Sequence, residues 1–279
     1  ADLAFAQTHF PASQTHAFLN DLVGVAHTEL YGSAPRKLTS LWRFMHTGYP
    51  RLVRAHAREV ALASALLLGA MALGLLLSYV NYPLARVFIP EQLRDGVGDR
   101  IEQGADATGI SSAIAPLLAA GITANNIQVA LMAFAGGMTL GALTVYSMIQ
   151  NGLLLGTLAG VFAKGGATLF FWSLILPHGS LELPAIILAG ASGLSLAKAL
   201  ISPGDLPRAA SLRAASPDAV RLALGTIPLF LIAGAIEGFF TPSQVDPLLK
   251  LAFGLLMTAL LLGYLIFAGR TPVTDVRAP

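Results

Sequence analysis

The 279-residue chain has no cysteine, which excludes disulfide scaffolds and cysteine-ligated zinc or iron–sulfur sites. It is also short of charge. Asp, Glu, Lys and Arg make up 11% of the residues against 55% hydrophobic ones, about half the charged share usual in soluble domains, and such a chain is not disordered. The net charge is only +2 despite a pI near 9.1. The basic residues sit beside apolar runs rather than in a stripe, which argues against nucleic-acid binding. No glycine loop precedes a Lys-Ser/Thr pair, so ATP hydrolysis by this chain is excluded. The first residue is Ala rather than Met, so part of the natural N-terminus is expected upstream; no signal peptide is visible.

What the chain does have is apolar length, with a mean hydropathy of +0.69. Six stretches approach or exceed the ~20 residues that cross ~30 Å of hydrocarbon as a helix. The spans drawn from sequence are 59–80, 126–149, 152–177, 181–201, 220–240 and 247–268. The fold class is therefore all-α, a polytopic membrane bundle of about six helices. Before the first span, residues 1–58 hold five of the six histidines and a soluble-looking helical pattern (Phe18, Leu22, Val25, Leu30) broken by Pro11 and Pro35, which predicts a small cytosolic arm. Arg36, Lys37, Arg43, Arg51, Arg54 and Arg58 close that arm, and Lys198, Arg208, Arg213 and Arg221 mark the 202–219 connection. Segment 81–124 is net acidic, so basic-inside bias puts both chain ends inside and 81–124 outside as an amphipathic loop. Residues 110–122 read there as a re-entrant or interfacial piece. Residues 59–270 form the bundle on this reading, and 271–279 a cytosolic tail.

Small residues recur every fourth position: Gly137 with Gly141, Gly152-Gly156-Gly160, Ala185-Ala189-Gly193-Ala197, and Gly234 with Gly238. Lipid tails are as apolar as Leu, so such stripes let helix backbones touch. Internal packing is the plain reading, and a homodimer face the sharper one. Asn151-Gly152 reads as a tight turn between spans two and three. Lys164-Gly165-Gly166 reads as a break or kink within span three.

Ionisable groups inside hydrocarbon cost at least ~2.5–3.5 kcal/mol each, so each needs a reason. Glu182 follows Pro177-His178-Gly179-Ser180. If Ser180 caps the helix, Glu182 lies in a first turn favoured by the dipole. If the helix starts before His178, then His178 and Glu182 share one face at i,i+4. Glu237 falls about one turn inside the outer end of span five. His178, Glu182, Glu237, Asn125 and Asn126 are predicted to converge near the outer ends of spans two, four and five, either as a structural clamp or as a ligand or proton site. No catalytic, cofactor-binding or metal-ligating residue is assigned. Gly190-Ala191-Ser192-Gly193 has the short pattern of an intramembrane serine protease, but no later histidine follows as the base. His178 alone cannot make a zinc-protease site.

Taken together, the segments resemble the stage II sporulation protein M family of bacterial membrane proteins. In chain order, the likeness rests on Asp2-Leu3-Ala4, Pro11, Leu19-Asn20, His27 with Tyr31, Asn125-Asn126 with Ala130 and Phe134, and Asn151-Gly152 with Gly156. It continues through Pro177-His178-Gly179 with Glu182, Pro184-Ala185, Ala189-Gly190 with Gly193, Pro203-Gly204, and Glu237 with Thr241-Pro242. The resemblance implies a multi-pass protein of the bacterial cytoplasmic (inner) membrane. It implies a non-enzymatic anchor, without cofactors, that works beside peptidoglycan-degrading partners in engulfment. In non-sporulating relatives it implies neighbours such as a MoxR-type ATPase and von Willebrand-like proteins.

Two functions of different class follow. One is a membrane scaffold for an envelope-remodelling complex, docking partners through the arm and the outer loop. The other is a permease or lipid-handling carrier using Glu182, His178 and Glu237.

Overall fold

The computed structural model describes residues 38–91 and 115–270, and every regular element among them is helical. Most of the predicted arm, the centre of the acidic loop and the tail lie outside the described residues. The chain divides into two units, residues 1–45 and 46–279, so the boundary falls earlier than the predicted 58. The described part of the first unit is α1 (Leu38–Arg43) and the first two residues of the π turn Phe44–Gly48.

In the second unit the first α-helix, α2 (Tyr49–Ala55), breaks at His56, with φ −101° and ψ 27°. It then runs into α3 (Ala57–Val80). Asn81 caps α4 (Tyr82–Ala85) by accepting from the Leu84 amide at 3.2 Å, with Pro83 in the first turn where a missing N–H costs nothing. The longer helices follow: α5 (Ala115–Ala135), α6 (Ala142–Lys164), α7 (Thr168–Ile201) and α8 (Arg208–Leu224). Next come α9 (Ile227–Ala235), extended by the π turn Ile236–Phe240, and α10 (Pro247–Phe267), capped by Asp246. Ala57–Val80, Ala142–Lys164, Thr168–Ile201, Arg208–Phe240 and Pro247–Phe267 are each long and apolar enough to cross a membrane.

The predicted spans two to four are re-divided. Residues 126–149 are not one helix. The chain turns at 136–141, where Leu140 (φ 54°) and Gly141 (φ 84°) are left-handed, a conformation that glycine adopts without steric cost. Asn151-Gly152, expected as that turn, lies mid-way along α6, where the Asn151 side-chain amide donates to the Ser147 carbonyl at 2.8 Å. Lys164-Gly165-Gly166 is the α6–α7 turn rather than a break within a span, with Gly166 at φ 76°. Residues 115–122, expected within the outer loop, open α5.

The largest departure is α7. Its 34 residues, ~51 Å at 1.5 Å per residue, run unbroken through Pro177 and Pro184. Ser180 is no N-cap, because its hydroxyl donates back to the Pro177 carbonyl at 3.0 Å. Each proline removes one i→i−4 donor, a loss that buried neighbours make tolerable in membrane helices. The other long helices gather around α7.

Close backbone contact holds the bundle. A Cβ on Gly156 would stand 1.9 Å from the Met71 carbonyl oxygen, and one on Gly152 2.3 Å from that of Leu67. One on Gly160 would stand 2.6 Å from Ser78 Cβ. From the opposite side, a Cβ on Gly74 would stand 2.5 Å from the Leu153 carbonyl oxygen, and the buried Ser78 hydroxyl bridges to the Thr157 carbonyl at 3.1 Å. Gly137 and Gly193 seat α7 against the α5–α6 turn, where a Cβ on Gly137 would stand 2.2 Å from the Gly193 carbonyl oxygen and one on Gly193 2.1 Å from that of Ala133. A Cβ on Gly141 would stand 3.0 Å from the Ala197 methyl, and Ala189 is buried. These stripes are therefore consumed within one chain.

Two opposite ends are defined by charge. At the basic end Lys198 pairs with Glu59 at 2.8 Å. Arg54 donates there to the Leu265 and Ala268 carbonyls at 2.5 and 2.8 Å, occupying acceptors left free at the end of α10. At the other end Lys164 donates to the Ser78 carbonyl at 3.2 Å and lies over the Tyr79 and Tyr82 rings, a snorkelling cation. The start of α3 and the ends of α7 and α10 thus share one end.

Candidate functional site

Because α7 continues through Pro177, Glu182 sits about four turns inside the helix, one turn below His178 on the same face. Both are buried, Glu182 with 3% of its surface exposed. Glu237 sits in the π turn that ends the α9 rod and is buried too. The two carboxylates are close enough for their charges to interact.

Helix α5 supplies donors to both. The Asn126 amide donates to Glu182 Oε2 at 2.5 Å, and the Thr123 hydroxyl makes a long 3.5 Å contact to Glu237 Oε2. Gly234, one turn from Glu237, leaves room for Thr123, since a Cβ there would meet its hydroxyl at 2.7 Å. His178 Nδ1 lies 3.5 Å from the Thr241 hydroxyl. Glu182 Oε1 is fully enclosed and has no hydrogen-bond partner among the described residues. That is costly in a low-dielectric interior, where an orphaned acceptor loses roughly 1–3 kcal/mol.

Of the five predicted residues, the structure gathers His178, Glu182, Glu237 and Asn126. It does not bring in Asn125, which is exposed on the far face of α5. Consecutive helical positions diverge by about 100°, so only one of the two amides can face the carboxylates.

Sequence reasoning missed Thr123, Thr241 and Lys250. Thr123 is three residues before Asn126 and Thr241 four after Glu237, so helical spacing from the predicted residues was the available signal. Lys250 is buried at 3% exposure, and its ammonium donates to the Thr241 and Ser243 carbonyls at 2.6 and 2.8 Å. A single cation in the first turn of the last apolar run was its only mark. Ser192, of the protease-like tetrapeptide, is buried and donates to the Ala189 carbonyl at 2.6 Å.

Among the described residues, the side-chain donors to the two carboxylates are the neutral Asn126 amide and Thr123 hydroxyl, while Lys250 is committed to backbone carbonyls. Two neighbouring carboxylates served by neutral donors suit a shared proton or a bound monovalent cation, or a clamp that ties α5, α7 and α9 together.

A closed set of apolar helices around buried carboxylates defines an all-α multi-pass membrane protein. The profile of the family described as stage II sporulation protein M matches residues 60–242, from the start of α3 past the π turn. The chain belongs to that family. It is also similar to an uncharacterized protein of Methanocaldococcus jannaschii, 31% identical over 130 residues, which cover 46% of this chain and 73% of that one. No solved structure matches it.

Proposed function

We propose that the protein is a non-enzymatic membrane scaffold, anchoring an envelope-remodelling complex in the bacterial inner membrane. In this reading six helices cross the bilayer, α5 being the sixth, with both chain ends at the cytosolic, basic end. The observation that carries it is the contact between α3 and α6, where three glycines of α6 and one of α3 bring backbones together without intervening side chains. Helices locked in this way suit a rigid platform better than the parting halves of an alternating-access carrier. Family membership supports the reading, and the partners it suggests are cell-wall hydrolases or a MoxR-type ATPase.

The test is purification of the intact protein in mild detergent with a candidate partner. A stoichiometric complex that survives Glu182→Gln and Glu237→Gln is expected. A second reading, a carrier, is favoured by one feature, the unpartnered Glu182 Oε1 beside Glu237. Liposome flux of a proton or monovalent cation that is abolished by either substitution, in protein that remains folded, would replace the scaffold with the carrier.

A further inference from the structure

A cavity of about 550 Å³ opens at the basic end between the α2–α3 break, the last turns of α7 and the first turns of α8. Its lining contains three cations, Arg54, Arg58 and Lys198, against one carboxylate, Glu59. The carboxylate is already engaged, with Lys198 at 2.8 Å. Arg54 is committed to the α10 carbonyls. Arg58 has no partner among the described residues, and the hydroxyls of Ser195, Ser202 and Ser211, which also line the cavity, donate to none.

The cavity therefore holds unspent donors in a lining with two more cations than carboxylates, Arg58 being the cation whose donors are uncommitted among the described residues. That inventory matches a ligand made of acceptor oxygens with negative charge, and guanidinium and hydroxyl donors are what phosphate oxygens take. The site also lies at the start of α3, at the depth where a membrane's headgroups meet a span, and basic pockets between helices at that level hold anionic headgroups. We propose that this cavity binds a phosphate group, with Arg58 as its principal cation and the serine hydroxyls as orienting donors. The source is an anionic phospholipid headgroup or soluble phosphate.

The full chain in phosphatidylcholine nanodiscs tests this by its unfolding midpoint. In one arm phosphatidylglycerol replaces part of the lipid; in the other, inorganic phosphate is added to the phosphatidylcholine discs. A rise in at least one arm is expected, and the arm that responds names the source. Arg58→Gln should move the responsive titration to about tenfold higher ligand, the equivalent of one charge-assisted hydrogen bond. Arg213→Gln, an exposed basic residue of α8 outside the cavity, should leave it in place. Should Arg58→Gln not fold, Ser211→Ala serves instead, with a smaller shift in the same direction. No response of the wild-type protein in either arm overturns the proposal. So does an Arg213→Gln shift as large as that of Arg58→Gln, since general surface charge would then account for the binding.

Discussion

Replacing Gly156 by alanine is the sharpest probe of how this bundle is held. The new methyl would lie 1.9 Å from the Met71 carbonyl oxygen and 2.6 and 2.8 Å from the carbonyl carbon and Cα of the same residue. All three are backbone atoms, so no rotamer change relieves the clash. Ordinary contact begins near 3.4 Å, so α3 and α6 must part locally by about 1.5 Å, and a gap of even 0.5–1 Å forfeits a quarter to a half of each dispersion well. The same shift strains the Ser78-to-Thr157 hydrogen bond two turns of α3 further on. Overpacking of this kind costs typically ~1–3 kcal/mol, and leucine at the same position should cost more. Gly69→Ala is the matched control, because a Cβ there meets nothing within 4 Å while its gain in helix propensity is the same. Unfolding in mild detergent, by heat or by increasing dodecyl sulfate, should rank Gly69→Ala at or above wild type and Gly156→Ala clearly below. Equal stability of the two variants would refute the backbone-contact account of the interface.

Other outcomes can be checked alongside it. Asn126→Ala leaves Glu182 without its only hydrogen-bond donor among the described residues and should destabilise by about 1–3 kcal/mol, whereas Glu182→Gln, which keeps an acceptor for Asn126, should be milder; a double-mutant cycle measures the coupling. The Tyr49 hydroxyl donates to the Leu222 carbonyl at 3.1 Å and its ring covers Gly225, so Tyr49→Phe should cost about 1 kcal/mol. Burial raises the Tyr49 phenol above its ordinary value. The folded state thus keeps a proton that the unfolded chain releases above about pH 10, and the stabilisation, complete below that pH, should fade as pH climbs towards the raised value. Tyr49→Phe should flatten this alkaline loss, and an unchanged profile would show that another group is responsible. In this cysteine-free chain, an impermeant thiol reagent on intact spheroplasts should label Asp99→Cys and not Ser211→Cys, and the reverse pattern would invert the proposed orientation.

The sequence by itself determined the class of this protein and its means of cohesion. Apolar runs near twenty residues with so little charge leave helices in lipid as the available fold, because every backbone polar group must find its partner within the segment. The four-residue spacing of Gly152, Gly156 and Gly160 marked a helix contact before any partner was known. Tertiary structure decided where the helices turn. From 126 to 201 hydrophobicity hardly falls, and Asn151, Gly152, Pro177 and Pro184, which would end helices in water, stay helical here because neighbouring helices exclude water and make regular backbone pairing the cheapest state. The turns went instead to 136–141 and 165–167, where left-handed residues let α7 lie back on its neighbours. Composition also flagged His178, Glu182 and Glu237 as polar groups needing a reason. Only packing chose Asn126 over Asn125 and added Thr123, because a side chain's partner across a bundle depends on how helices are rotated against one another, and one chain's periodicity does not carry that rotation.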